Sequence, residues 1–176
     1  MKWETVMLKK IFVYALFFCI LSVFPLNAAN VSFVIMENGL PARGPAGQYS
    51  TMWENGFFDV FYELGHIISN VPIMRLYEKP DDNLPYEAER DFEEAKNGGM
   101  DYFIVAIVNY PPTRGTEIPK PQNVVLRLFN TKSEIMIYEQ IYSDTKPKSA
   151  KEDYESIKQA ITEFASKLIM EINLRR

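Results

Sequence analysis

The sequence predicts an α/β domain with a mixed five-stranded sheet and helices packed on the sheet. Short runs of β-branched and aromatic residues alternate with longer segments whose apolar residues recur every three or four positions. Predicted helices separate the first three predicted strands, as parallel strands joined by crossover connections require. Only five residues separate the last two strands, which indicates an antiparallel hairpin. The predicted order is therefore β-α-β-α-β-β-β-α.

Five short apolar runs are the predicted strands. Each is rich in residues that favour strands, and turn residues or helical segments lie between them. The third run, Y-F-I-V-A-I-V, is apolar at every position, which is typical of a central strand covered on both faces. The predicted strands cover residues 31–36, 73–77, 102–108, 123–129 and 135–142.

The first predicted helix follows the glycine- and proline-rich loop 39–47. Thr51 and Glu54 form a capping-box pattern, in which the hydroxyl and the carboxylate bond to each other's free amides. Apolar residues then keep helical spacing up to Ile68. We expect this helix to end near Pro72, because proline cannot continue a helix.

Two further helices are predicted later in the chain. The segment 87–96 has a thin apolar stripe and many carboxylates, and the glycines at 98 and 99 stop it. The carboxylates are expected to form a solvated face. The last helix starts at a second capping box, Ser149 with Glu152, and continues with apolar residues at steps of three and four.

The N-terminal segment, residues 1–29, has the three parts of a secretory signal peptide. Lysines precede an apolar run at 11–24, and Ala28 and Ala29 offer small residues for cleavage. The run is short for a membrane span, which needs about 20 apolar residues. We therefore expect an exported, periplasmic protein whose single α/β domain covers residues 30–176. Retention of the segment as an uncleaved anchor is the alternative.

Charge and cysteine content exclude several classes of function. Removal of the segment's three lysines and one glutamate changes the net charge from −4 to −6. An acidic chain without a basic cluster argues against nucleic acids and against docking to anionic lipid. The lone cysteine, Cys19, lies in the apolar run, and Phe18 before it is not the small residue that lipid attachment requires. The predicted domain therefore has no thiol chemistry.

Two phrases of the sequence resemble a group of bacterial envelope α/β domains. Residues 98–105, G-G-M-D-Y-F-I-V, resemble the entry into that group's central strand, and residues 125–135, V-L-R-L-F-N-T-K-S-E-I, resemble its hairpin. Ser133 stands where the group usually has glycine. The group includes the curli secretion lipoprotein, the lipoprotein activators of penicillin-binding proteins and the N-terminal domain of the Tol propeller protein. The resemblance implies a periplasmic, non-enzymatic module that binds other proteins or oligomerises.

No arrangement of residues in the sequence predicts catalysis, a metal site or a cofactor. His66 is the sole histidine, so no histidine pair can bind a metal. Its place near the predicted helix end favours the imidazolium form and a structural role. The loop 39–47 lacks the lysine and the spacing of a phosphate-binding loop.

The first hypothesis is therefore an exported binding or assembly module that contacts envelope proteins or itself. The alternative is a periplasmic domain that binds a small ligand in a pocket at the loop 39–47, since open α/β sheets bind ligands at the carboxyl ends of their strands. Aromatic residues on more than one face of the first helix favour the first hypothesis. The candidate contact residues are Arg43, Trp53, Phe58, Tyr62 and His66.

Overall fold

A five-stranded mixed sheet lies at the centre of the protein, with strand order β2-β1-β3-β4-β5. The computed structural model describes residues 28–41, 44–77, 83–112, 118–144, 146 and 148–174. The strands are β1 (Asn30–Asn38), β2 (Ile67–Arg75), β3 (Tyr102–Asn109), β4 (Asn123–Asn130) and β5 (Ile135–Tyr142), and the helices are α1 (Gln48–Glu63), α2 (Tyr86–Asn97) and α3 (Ala150–Leu174). The predicted fold class and element order are confirmed.

The strand directions follow from the connections. β1 pairs with β2 on one side and with β3 on the other, both in parallel, as their helical crossovers require. β3–β4 and β4–β5 are antiparallel, with the predicted hairpin joining the last two strands. The parallel strands thus form one side of the sheet and the hairpin forms the other. β3 is the middle strand, as its uninterrupted apolar sequence predicts.

Side chains that alternate along the strands fill two cores on opposite faces of the sheet. One core packs against α1 and α3, and the smaller one packs against α2. Both faces of β1 and β3 are buried, so helices are needed on both sides. The larger core includes Phe33, Ile104, Leu126, Trp53, Phe57, Phe61, Ile161 and Phe164, and the smaller core includes Val34, Phe103, Val105, Phe92 and Phe129.

Gly56 lies where α1 packs closely against α3. A methyl group added to Gly56 would lie 2.8 Å from Cδ1 of Ile161 and 3.2 Å from Cγ2 of Ile157. Glycine in mid-helix is less favourable than alanine by up to about 1 kcal/mol. Here it allows close contact between helices that lie about 100 positions apart in the chain.

The predicted boundary between the first helix and the second strand is wrong. α1 ends at Glu63, not near Pro72, and Ile67 and Ile68 belong to β2. Gly65 ends the helix in a left-handed conformation with φ of 77°. Its N–H donates to the carbonyl oxygen of Tyr62, at 2.9 Å, and the next N–H donates to that of Phe61, at 3.0 Å. This is the Schellman arrangement, in which glycine is favoured. Ile67 and Ile68 keep the helical spacing in the sequence, although they belong to a strand.

The two predicted capping boxes have different outcomes. The second is confirmed: Oε2 of Glu152 accepts from the Ser149 N–H at 2.8 Å, and Oγ of Ser149 accepts from the Glu152 N–H at 3.3 Å. The first is wrong, because α1 begins at Gln48 and its cap position is occupied by Gly47, four residues before Thr51. Thr51 lies in the first turn, where its hydroxyl donates to the Gly47 carbonyl oxygen at 3.4 Å.

Of the predicted signal peptide, only Ala28 and Ala29 are described, and residues 1–27 lie outside the described residues. The prediction that they form a leader or an anchor therefore stays a prediction. Among the described helices, none has the combination of length and apolarity that crossing a membrane requires.

The contact at Gly56 gives a prediction about stability. Gly56→Ala is expected to lower the free energy of unfolding by about 1–2 kcal/mol, because overpacking outweighs the gain in helix propensity. In an Ile161→Val background, which lacks the nearest carbon atom, most of this loss should disappear. Urea denaturation of the two single variants and the double variant measures the coupling.

Asn55→Ala is the matched control, since Asn55 is exposed on the same helix and its replacement should change stability by no more than about 0.5 kcal/mol. Equal effects of Gly56→Ala in the two backgrounds would contradict the proposed contact.

Candidate functional site

A buried ion pair occupies the carboxyl ends of the parallel strands. Glu37, at the end of β1, is fully buried, and its Oε2 lies 2.8 Å from Nε of Arg75 on β2. Its Oε1 accepts from the Gly47 N–H at 2.6 Å. Nη2 of Arg75 donates to the Pro45 carbonyl oxygen at 2.6 Å. The pair therefore ties two strands to the loop that leads into α1.

The same region is closed on its other side by Tyr110, which follows β3. Its hydroxyl oxygen accepts from the Ser50 N–H at 3.2 Å and lies 2.9 Å from Oγ of Ser50. Burial raises the pKa of the Tyr110 hydroxyl. A methyl group added to Gly47 would lie 2.3 Å from that hydroxyl and 3.1 Å from Oε1 of Glu37, so only glycine fits there.

This geometry bears on the predicted ligand pocket at the loop 39–47. The positive end of α1 is the place where an anionic ligand would bind in such a fold. Here the carboxylate of Glu37 already occupies it. Arg43, the cation of the loop, lies outside the described residues. Within the described part of the loop, the protein's own side chains thus take the positions that a bound anion would use.

A second polar cluster joins the loops beside β4 and β5 to α1 and α3. Nζ of Lys120 lies 2.5 Å from Oδ1 of Asp153 and donates to the Lys146 carbonyl oxygen at 2.9 Å. The other carboxylate oxygen of Asp153 accepts from the Tyr49 hydroxyl at 3.0 Å. Burial and this bond raise the pKa of Tyr49 to about 12. Tyr49 therefore stays protonated and acts as a donor.

The neighbouring carboxylate, Asp144, has its own partners. It accepts from Nζ of Lys148 at 2.6 Å and from the Tyr142 hydroxyl at 3.2 Å. The lysine bond lowers the pKa of Asp144, whereas burial raises that of Tyr142 to about 12. The cavity under the cluster has a volume of about 20 Å³, which is room for one water molecule. Its charges are paired internally, so the cluster serves to fasten loops.

An open groove lies between the end of α1 and the start of β2. Its volume is about 530 Å³. Tyr62 is 80% exposed and Ile67 is 62% exposed, whereas Phe58 is half-buried beside them. The acidic residues on its rim are partly neutralised by Lys158, whose Nζ lies 3.0 Å from Oε1 of Glu63. The groove is lined by Phe58, Asp59, Tyr62, Glu63, His66, Ile67 and Ile68.

His66 forms the floor of this groove and is buried. Nδ1 accepts from the Ala29 N–H at 3.1 Å, so the proton of the neutral ring is on Nε2. Nε2 has no hydrogen-bond partner in the described part of the protein. The ring packs on Phe61, with centroids 5.7 Å apart. Burial lowers the pKa of His66, so the expectation of an imidazolium at a helix end is wrong.

The structure thus brings three of the five candidate contact residues together. Phe58, Tyr62 and His66 line the groove, whereas Trp53 is 1% exposed and belongs to the core. Trp53 can touch a partner only if α1 moves away from the sheet. The contact role of all five residues stays a prediction.

The carboxylates of α2 are mostly solvated, as expected, with one exception. Asp91 is buried, and its Oδ1 lies 3.5 Å from Nη2 of Arg90, at the limit of a hydrogen bond. Its position shares the inward side of the helix with Phe92 and Ala95. Among the described residues, no group of three histidine, cysteine or acidic side chains could hold a metal ion.

No protein family matches the sequence, and no curated protein matches it. Several solved structures are similar to the chain at low sequence identity. PelC from Paraburkholderia phytofirmans, described as a dodecamer, is 12% identical with a TM-score of 0.49, over 77% of this chain and 87% of PelC. The lipoprotein GNA1162 from Neisseria meningitidis is 9% identical with a TM-score of 0.41, over 77% of this chain and 99% of its own.

A third likeness is to a DUF330 protein from Xanthomonas campestris, which is 12% identical with a TM-score of 0.39, over 84% of this chain and 85% of its own. All three come from bacteria, and one is named a lipoprotein. None is of the curli, penicillin-binding-protein-activator or Tol type. Likenesses this distant do not tell what this chain binds.

Glu37 gives a second prediction. Glu37→Gln should lower the free energy of unfolding by about 3–5 kcal/mol, because it leaves the mostly buried Arg75 without its counter-charge. Urea denaturation at neutral pH measures the loss. Glu63→Gln, which removes an exposed carboxylate from an ion pair, is the matched control and should cost at most about 1 kcal/mol. Equal losses would contradict the role assigned to Glu37.

His66 gives a third prediction, on pH dependence. Its pKa is lowered in the folded state, so the unfolded chain binds a proton more readily below about pH 6.5. The stabilisation from neutral His66 is fully present above that pH and is lost as the pH falls toward its folded pKa. Chemical denaturation between pH 5 and 7.5 should show this loss.

His66→Asn is the diagnostic variant, because its amide oxygen can replace Nδ1 as an acceptor without titrating. We expect a flatter stability profile for this variant over the same pH range. A profile unchanged from that of the original protein would assign the pH dependence to other groups.

Proposed function

We propose that this protein is an exported, non-enzymatic module of the bacterial cell envelope that binds another envelope protein or a second copy of itself. The observation that carries the proposal is the groove beside His66. It combines exposed aromatic and aliphatic side chains with a buried ring N–H that lacks an acceptor. Such a mixture is typical of protein interfaces, where aromatic anchors bind in partly buried pockets.

The groove provides both apolar area and a polar point of recognition. Tyr62 and Ile67 present large apolar surfaces at its rim, and the half-buried Phe58 lies between them and the core. Nε2 of His66 has almost no surface accessible to solvent, so its N–H could bond to a carbonyl oxygen of the partner only after neighbouring side chains of the groove move aside. An unsatisfied buried donor costs about 1–3 kcal/mol, and a partner that supplies the acceptor recovers this cost.

Side chains, rather than added strand pairing, are proposed to carry recognition at this edge of the sheet. β2 is an edge strand, and Pro72 within it has no N–H to offer another strand. The pairing register of β2 also shifts between Val71 and Met74, as at a β-bulge. Proline and bulges are the usual protections of an edge strand against pairing with other chains.

Support for export and for the periplasm comes from the sequence of residues 1–29, whose lysines, apolar run and small residues have the pattern of a signal peptide. The domain that acts is proposed to cover residues 30–176. Contact with the membrane would then depend on retention of the N-terminal segment.

The alternative, a small-ligand domain that uses the loop 39–47, has weaker support. The carboxylate of Glu37 fills the positive end of α1, and Tyr110 closes the region from the other side. A ligand there would have to displace an internal ion pair. For an enzyme, the carboxylates in the groove, Asp59 and Glu63, are paired with Lys158. Nδ1 of His66 is already engaged by the Ala29 N–H.

The fourth prediction tests the groove directly in cells. A photo-cross-linking amino acid, p-benzoylphenylalanine, is placed at position 62 or, as the matched control, at position 86. Tyr62 and Tyr86 are exposed to 80% and 83%, and they lie on helices that cover opposite faces of the sheet. We expect a discrete protein adduct from position 62 in the periplasmic fraction, and none from position 86.

Mass spectrometry of the adduct distinguishes a second copy from another envelope protein, and either result supports the proposal. An adduct from position 86 alone, or none from either position, would contradict the groove as the binding surface. Recovery of the protein only from the cytoplasm would contradict export.

A further inference from the structure

The described chain begins with a contact that bears on how the precursor is processed. Ala29 is 4% exposed, and its N–H donates to Nδ1 of His66 at 3.1 Å. Its carbonyl oxygen accepts from the N–H of Ile67, at 3.0 Å. Ala29 therefore extends the pairing of β1 with β2 by one residue, whereas Ala28 before it is exposed.

The sequence does not say which peptide bond is cut, because both alanines are small residues of the kind found before a cleavage site. Cleavage after Ala29 would leave Asn30 as the first residue, and cleavage after Ala28 would leave Ala29. The residues two positions further upstream are Asn27 and Leu26, respectively, and neither is small. In the folded structure, by contrast, Ala29 is buried and hydrogen-bonded, whereas Ala28 is exposed.

We infer that the mature protein begins at Ala29, through cleavage of the Ala28–Ala29 bond. The inference rests on the proposed export of the protein. In this hydrolysis, catalysed by a leader-processing endopeptidase of the membrane, water supplies an oxygen to the carbonyl carbon of Ala28, which becomes a carboxylate. The C–N bond breaks, and the nitrogen of Ala29 takes both protons of that water and becomes the new α-ammonium group.

Retention of Ala29 keeps its contacts with the domain. Without it, Nδ1 of His66 would be a buried acceptor whose donor is lost, and a buried polar atom without a partner is unfavourable. The small apolar side chain of Ala29, which belongs to the larger core, would be lost as well. With Ala29 as the first residue, its ammonium group can donate to Nδ1 and still present two N–H groups to water.

Charged groups around this position are compatible with an ammonium. Asp59 and Glu63 of α1 line the same groove as His66, and Lys158 of α3 lies within 3.6 Å of Asp59. Asp101 on the other side accepts from the next backbone N–H, that of Asn30, at 3.1 Å. The carboxylate of Asp101 therefore bonds to the backbone one residue along from the new positive charge.

The experiment is the intact mass of the full precursor, expressed with a C-terminal tag and recovered separately from periplasm, membrane and cytoplasm. We expect a periplasmic protein whose mass corresponds to a first residue of Ala29. A mass lower by one alanine residue would overturn the inference, and so would a full-length protein in the membrane. Either of these two results would still agree with export. Full-length protein confined to the cytoplasm would overturn the proposed function itself.

A second measurement tests the physical reason. Purified chains that begin at Ala29 or at Asn30 are compared by thermal unfolding, each with His66 and with His66→Leu. The chain that begins at Asn30 should melt about 2–4 °C lower than the chain that begins at Ala29. The difference should shrink in the His66→Leu pair, which has no acceptor. An equal difference in both pairs would contradict a role for this bond.

Discussion

Burial of both faces of the central strands is the constraint on which the rest of the structure depends. β1 and β3 have almost no exposed residues, so the sheet requires helices on both sides. Two helices cover one face and one covers the other. Once these positions are filled, only the sheet's edges, the strand ends and the outer helix surfaces remain for contacts with other molecules. The groove beside β2 is at one of these places.

Polar groups at the ends of the sheet have mainly structural roles. Glu37 with Arg75 holds the loop before α1, and Lys120 with Asp153 holds the loop before β4. Each cluster pairs its charges internally, which is the condition under which buried charges are tolerated. The groove differs, because it exposes the large apolar side chains of Tyr62 and Ile67 beside an open volume of about 530 Å³. That difference is the physical basis for preferring the groove over the other two regions as a binding site.

The fold could be predicted from the sequence because its signals are local. The apolar run of β3, the short connection between β4 and β5, and the Ser149 capping box each depend on residues close in the chain. The end of α1 was mispredicted although Gly65 marks it, since the apolar spacing beyond that glycine outweighed it. A glycine between a helical pattern and a β-branched run is the signal that would have given the correct boundary.

The candidate site was only partly predictable, because it depends on contacts between distant residues. Tyr62 and Phe58 can be identified from the sequence because the first helix carries aromatic residues on more than one face, and a single face cannot bury them all. The pairing of Glu37 with Arg75, 38 positions later, and of Ala29 with His66 requires the strand order, which no local pattern contains. Trp53 was included among the candidates for the same reason as Tyr62, yet its position on α1 directs it into the core.

The contact of α1 with α3 at Gly56 has a consequence for the timing of folding. α3 is the last of the described elements, and it supplies much of the cover for the face on which α1 lies. A chain still without α3 leaves that face open to water and cannot complete its larger core. Such distant contacts delay folding until α3 has been synthesised. For a protein that we propose crosses a membrane after synthesis, this delay would keep the chain in a form that can be threaded through a translocation pore.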